Sequence, residues 1–301
     1  MSFNIHYNTC PCCNSTNIAE ALQAKDYTVS QTNFSIWHCN NCTARFTQDV
    51  PDIHHIGPYY QSTAYISHSD TKEGFINKLY HLVRNFTLKK KQNLVIAETN
   101  VAKGNLLDVG AGTGAFSQTM KNAGWEVTGL EPDPTARKVA LEKFELLLDI
   151  PDSLFQLPAN SFDAITMWHV LEHVHDLQGY LQQYHTILKP NGKVFIAVPN
   201  YTSGDADTYQ EFWAAYDVPR HLYHFSPKSM EMLANLKGFR VKAFKPMWFD
   251  SFYVSMLSEQ YKNGGKGNLI KAFFNGLASN FKTVFNTKSC SSVIYVLEKK
   301  E

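Results

Sequence analysis

Leu106-Leu107-Asp108-Val109-Gly110-Ala111-Gly112-Thr113-Gly114-Ala115-Phe116 is the stretch that decides the fold. An apolar strand pattern runs into three glycines at alternate positions, and a helical pattern follows. Glycine adopts backbone angles that other residues avoid and lets a ligand approach the main chain. The stretch therefore reads as a strand-to-helix turn built around a ligand. Dinucleotide loops place their third glycine one residue further on. Here Gly110, Gly112 and Gly114 give G-x-G-x-G, with Asp108 ahead of them.

Outward from the loop, strand and helix signals alternate. Strands are expected at 106–109, 126–130, 145–148, 162–167 and 193–198, with helices at 114–123, 134–144, 153–157 and 176–189. Leu188-Lys189-Pro190-Asn191-Gly192 supplies a stop and turn. A second series follows: helix 227–237, strand 239–245, helices within 256–286 and strand 292–297. Such alternation predicts an α/β fold with a mostly parallel sheet covered on both faces and ligands at the carboxyl ends of its strands. Upstream, 47–74 reads as a linker and 75–100 as one or two helices, with Lys89-Lys90-Lys91 a solvated helix end.

The loop, with Glu131 in Gly129-Leu130-Glu131-Pro132, the run from Ser161 to Ile165, Trp168-His169-Val170-Leu171-Glu172-His173-Val174 and Leu188–Lys193, resembles the class I S-adenosylmethionine-dependent methyltransferases over about residues 75–301. The resemblance implies a Rossmann-like sheet of seven strands whose last, 292–297, is antiparallel. It also implies a cofactor set: Asp108, Gly110, Ala111 and Gly112 near the methionine part, Glu131 and Pro132 near the ribose, Asp152 and Ser153 facing the adenine, and Trp168 and His169 lining it. An acid in the place of Glu131 can accept hydrogen bonds from both ribose hydroxyls. The implied product is S-adenosylhomocysteine.

Five of the six cysteines lie in the first 42 residues. Cys10 and Cys13, then Cys39 and Cys42, form two C-x2-C pairs, which can hold one tetrahedral Zn²⁺. With short strand patterns between the pairs, residues 1–46 read as a zinc ribbon, 47–100 as linker and N-terminal helices, and 101–301 as the methyltransferase domain. Cys290 reads as a small core residue.

Methyl transfer to a hydroxyl or carbon acid needs a base near the strand ends. His169, His173 and His175 follow the fourth strand of the domain, and His221 and His224 lie in the long loop after the fifth. Some small-molecule methyltransferases, deoxysugar C-methyltransferases among them, join a four-cysteine module to this fold. They carry a His after strand four and a Glu-His pair before an aromatic-Phe-Ser run. His173 and His221 match, with Arg220 in place of the Glu. Ubiquinone-type O-methyltransferases share Leu-Glu-His-Val and a Pro-Arg-His loop but lack the ribbon. His221 and His173 are thus the catalytic candidates, although either can be a packed structural residue. Arg220 can pair with a substrate anion or with Asp217.

The composition agrees. Of 301 residues 44% are hydrophobic and 18% charged, and 28 basic against 27 acidic side chains give +1. That composition supports a sizeable core and gives no general attraction to nucleic acid. An RNA base methyltransferase would need a basic ribbon, yet residues 1–46 hold Lys25 and Arg45 against Glu20 and Asp26. A small-molecule acceptor is the leading partner, and a non-catalytic cofactor-binding adaptor is a further alternative. No apolar run spans a bilayer and the start lacks a signal-peptide pattern, so a cytoplasmic protein is expected. The broad apolar stripe from Leu269 to Phe285 reads as core packing, a homodimer face, a lid, or a membrane-surface contact aided by Lys266, Lys271 and Lys282.

Overall fold

The computed structural model describes residues 3–61 and 75–300, with side chains of the first long helix from Val83 onward. Residues 62–74 of the expected linker lie outside the described residues. The N-terminal part contains β1 (Asn4–Ile5), β2 (Ile18–Lys25), β3 (Asn33–Cys39), β4 (Arg45–Thr47) and β5 (Val50–Pro51), and α1 (Phe75–Thr99) is one continuous helix. Next come β6 (Asn105–Val109), α2 (Ala115–Asn122), β7 (Glu126–Leu130), α3 (Pro134–Phe144), β8 (Phe162–Trp168), α4 (Leu177–Ile187) and β9 (Leu188–Pro199). The remainder holds α5 (Gly204–Tyr209), β10 (Tyr223–His224), α6 (Pro227–Leu236), β11 (Phe239–Pro246), α7 (Asp250–Lys262), α8 (Leu269–Phe285) and β12 (Ser292–Lys299).

Among the described residues, six strands form the main sheet in the order β11-β12-β9-β8-β6-β7. β6 is parallel to β7 and β8, and β8 to β9, while β12 runs antiparallel to β9 and β11. The expected Rossmann-like sheet with an antiparallel last strand is present, with six strands where seven were expected. The difference is 145–148. Glu145 closes α3 in the left-handed region at φ 54°, its N–H bonded back into the helix, and Leu147 is exposed. The helix cap uses the residue that would begin the strand. Only Asp149 reaches the sheet: its N–H donates to Gly129 O at 2.9 Å, and its carbonyl accepts from Glu131 N at 2.9 Å. The turn expected at 188–192 is absorbed as an irregularity in β9, where pairing passes from Phe162↔Leu188 to Ala164↔Lys193.

The sheet is buried on both faces, as its apolar strands require. Leu107, Val109, Ile165, Met167, Val194, Ile196 and Val198 share one core, and Leu106, Ala164 and Phe195 pack with Phe116, Met120 and Trp125 in another. The first core continues without a break into the N-terminal part through Cys10, Cys42, Phe46 and Val50. Cys290 is fully buried in that same core. β10 pairs with β4, so the ribbon sheet has the order β10-β4-β3-β2 and includes a strand from beyond residue 220. Thr47 N–H donates to Leu222 O at 2.9 Å and its hydroxyl to His221 O at 2.7 Å. The ribbon therefore forms one wall of the loop that carries His221.

Candidate active site

The glycine loop leaves the carboxyl end of β6. Gly110, Gly112 and Gly114 all take positive φ, at 70°, 55° and 78°. A Cβ on Gly110 would stand 2.3 Å from Val170 Cγ2, whereas nothing lies within 4 Å of one on Gly112. Gly110 is thus packed against the segment leaving β8, and Gly112 faces open space where a ligand can meet the backbone. Glu131, at the end of β7, accepts from Gly112 N at 2.7 Å with one oxygen and from Asp133 N at 2.9 Å with the other. Each oxygen retains acceptor capacity for a donor such as a ribose hydroxyl. Burial raises its carboxyl pKa, and these N–H donors oppose the rise. Pro132 sits at the same strand end, and its carbonyl accepts from Arg137 at 2.8 Å.

Asp108 takes a different place. It is 1% exposed and accepts from Ser117 Oγ at 2.6 Å and Thr166 Oγ1 at 2.8 Å, so it ties β6 to α2 and β8 beneath the loop. Ala111 N–H donates to Leu130 O at 2.9 Å, holding the loop to β7. Asp152 and Ser153 lie in the first turn of a short 3-10 helix, Pro151–Gln156, beyond the same strand edge.

Trp168 ends β8. Its ring packs edge-on to Phe116 at 5.3 Å and lies 4.3 Å from Lys91 Nζ, and its buried indole N–H has no partner among the described residues. Lys91 is therefore a wall of the site rather than a solvated helix end. Burial brings its ammonium down to about 8, against the pull of Asp250 and Asp108. His169, at φ 59°, places Nε2 3.1 Å from Asp250 Oδ2 and Nδ1 3.5 Å from Glu172 Oε1. Burial alone would lower its pKa, but Asp250 and then Glu172 outweigh that and raise it to about 9.

His173 and His221 come together although 48 positions separate them. Their rings are 4.6 Å apart and perpendicular within 13°, at an interplanar angle of 77°. Candidate donor atoms of Glu172, His173 and His221 all lie within 4.8 Å of one another. His221 Nδ1 is 2.8 Å from Ala215 O, so it must donate there, which leaves Nε2 as the free lone pair. Asp217 Oδ2 stands 3.9 Å from that Nε2. His173 Nδ1 likewise meets Arg220 O at 3.0 Å and the Tyr60 hydroxyl at 3.1 Å. Glu172 is fully buried, and among the described residues neither carboxylate oxygen has a hydrogen bond, its nearest charged partner being His169 Nδ1 at 3.5 Å. His221 is buried, at 8% exposure, and His173 is half-buried. Arg220 is spent on structure: it pairs with Asp217 through Nε at 2.9 Å and through a second, shorter contact, and donates to Tyr59 O at 2.9 Å.

Burial and then the neighbouring His221 push the His173 pKa down to about 4. A His that stays neutral when folded loses stability as acid protonates the unfolded chain. Stability should therefore be whole above about pH 6.5 and fall as pH drops toward 4, by roughly 1–2 kcal/mol after allowing for partial solvent contact. Thermal midpoints of the wild type and His173→Gln between these limits check it. Parallel profiles would show that His173 has no such role.

The four expected metal ligands converge. The Sγ atoms of Cys10, Cys13, Cys39 and Cys42 all lie within 4.8 Å of one another, with Cys10–Cys42 at 3.5 Å and Cys13–Cys39 at 3.6 Å. Zn–S bonds of about 2.3 Å in a tetrahedron require S···S edges of about 3.8 Å, so the cage fits. Both turns repeat one backbone design. Asn14 N donates to Cys10 O and Thr43 N to Cys39 O, each at 2.8 Å, with Asn14 and Thr43 at positive φ. Cys12 is buried beside the cage but is not one of its members.

A family model described as a methyltransferase domain matches residues 81–243, more than half of the chain. The chain belongs to the methyltransferase domain family. A demethylmenaquinone methyltransferase of Tropheryma whipplei (strain Twist) is 31% identical over 119 residues, covering 38% of this chain and 50% of the relative. A ubiquinone biosynthesis O-methyltransferase of Xanthomonas oryzae pv. oryzae (strain PXO99A) is 34% identical over 156 residues, covering 48% and 65%. The chain thus spans about half to two thirds of the length of these curated relatives. Magnesium protoporphyrin IX methyltransferase from Synechocystis PCC 6803, solved with bound SAH, superposes with a TM-score of 0.52 over 80% of this chain and 97% of that one, at 14% identity, which shows a shared fold.

Three contributors to this arrangement escaped the sequence reading: Lys91 on α1, Asp250 at the start of α7 and the buried carboxylate of Glu172. Lys91 carried the signal of an ordinary lysine run, and Asp250 stood 81 positions from the His169 it meets, with no local pattern linking them. Glu172 reads from its motif as an N-terminal helix carboxylate with no chemical role.

Proposed function

We propose that this protein is a methyltransferase that uses S-adenosylmethionine to methylate an oxygen or carbon of a small molecule. The observation that carries the reading is the loop. Gly112 opens onto free space beside Glu131, and the segment that leads to His173 packs directly on Gly110 through Val170, with the His221 ring 4.6 Å from that of His173. Glu131 would hold the ribose, and the Gly110–Gly112 backbone the methionine part. When bound, S-adenosylmethionine supplies a methyl group on a positively charged sulfur, and S-adenosylhomocysteine is left after transfer. His221 Nε2 takes the acceptor's proton, and the Asp217 and Glu172 carboxylates stabilise the imidazolium that results. His173, held neutral, orients the acceptor. The names of the relatives, from ubiquinone biosynthesis and demethylmenaquinone methylation, support a quinone-like acceptor.

The four-thiolate cage holds a structural Zn²⁺ in this reading, and residues 1–46, 47–100 and 101–301 are its three parts. None of the six cysteines is in a disulfide, and a four-thiolate metal cage needs reduced cysteines, which supports a reducing compartment such as the cytoplasm. The cofactor claim is tested by calorimetry. Glu131→Ala should weaken S-adenosylmethionine binding by about 1.5–3 kcal/mol, the scale of hydrogen bonds to a charged acceptor. Undiminished affinity in that variant would reject Glu131 as the ribose contact.

A further inference from the structure

α8 carries its apolar residues outward. Ile270, Phe274, Phe281 and Phe285 are 60–77% exposed, and Phe273 and Val284 lie on the same side. The opposite face packs against the protein through Ala272, Gly276, Ser279 and Thr283. Monomeric proteins rarely leave so continuous an apolar face in water. Among the described residues no helix is long and apolar enough to cross a membrane, so the face is suited to lying on a partner rather than spanning.

The charge around the face selects that partner. Between Glu259 and Glu298 there is no acidic residue, and there are five lysines: Lys262, Lys266, Lys271, Lys282 and Lys288. Lys271 pairs with Glu259 at 3.2 Å and Lys288 with Glu231 at 2.8 Å. Lys262, Lys266 and Lys282 form no ion pair among the described residues. A second copy docking by this face about a two-fold axis would set lysines against lysines. An anionic lipid surface offers the complementary charge and an apolar layer beneath it.

We propose that α8 is an interfacial helix that seats the protein on an anionic bilayer surface, its phenylalanines inserted and its lysines at the headgroups. Phe252 of α7 stacks on Phe273 at 5.4 Å, and α7 begins with Asp250, the partner of His169. Docking by α8 would therefore place α7, which carries Asp250, next to the membrane. The docking itself does not depend on the methyl-transfer reading.

The test is cosedimentation of the full chain with vesicles of phosphatidylglycerol and phosphatidylcholine, and with vesicles of phosphatidylcholine alone. Binding should favour the anionic vesicles and weaken as salt rises. Lys266→Gln with Lys282→Gln should lower that partition about tenfold or more, at roughly fivefold per lysine. Phe274→Glu with Phe281→Glu should lower it at least about tenfold on both vesicle types while circular dichroism stays unchanged. No binding to the anionic vesicles by the wild type overturns the proposal. So does a dimer in lipid-free sedimentation that the phenylalanine variant dissociates, since the face would then be covered by a second copy.

Discussion

A Cys39→Ser variant is expected to lose its zinc and at least about 10² in methyl-transfer rate while still binding S-adenosylmethionine. Structural zinc contributes about 10–16 kcal/mol to the folding of small four-ligand units, so three thiolates should not hold the ribbon closed. The consequence reaches the His221 loop because β4 is the neighbour of β10, and Thr47 fixes both Leu222 and His221 through their carbonyls. A base displaced by about 1 Å can cost 10²-fold in rate. The Gly110–Gly112 turn is fixed instead by the Gly112–Glu131 hydrogen bond at 2.7 Å and by the parallel β6–β8 pairing, both outside the cage. Elemental analysis should find about one zinc in the wild type and none in the variant. Full activity in Cys39→Ser, or a wild type that holds no zinc when made with zinc present, would overturn the structural role of the cage.

His221→Ala is expected to lower methyl transfer by about 10²–10⁴ with little change in cofactor affinity, the usual cost of losing a general base. The tautomer fixes which nitrogen works. Nδ1 is committed to Ala215 O at 2.8 Å, so Nε2 alone is free to accept a proton. His173 is a poor substitute, since burial holds its pKa at about 4 and its Nδ1 is committed to Arg220 O. His173→Ala should therefore act chiefly on acceptor KM, and His221→Ala on kcat. Added imidazole should restore part of the rate to His221→Ala, as the ring's removal leaves a space near Glu172 and Asp217. An unaltered kcat in His221→Ala, with the loss confined to His173→Ala, would transfer the role of base to His173.

The sequence by itself determined what rests on local geometry. Three glycines at alternate positions allow positive φ at the end of one strand, and an acid at the end of the next then lies beside them in a parallel sheet. Each C-x2-C turn shapes its own thiolate pair within five residues. The failed strand at 145–148 also had a local cause, since an apolar run does not show that its first residue is already a helix cap. What only the tertiary structure decided is what long-range packing brings together: His173 with His221, His169 with Asp250, Lys91 over Trp168, and the ribbon against the His221 loop. Periodicity records which face of an element is apolar, but not which distant element covers it. The partners of a buried charge are fixed only when the whole core closes and each such group must find its counterpart or remain unsatisfied.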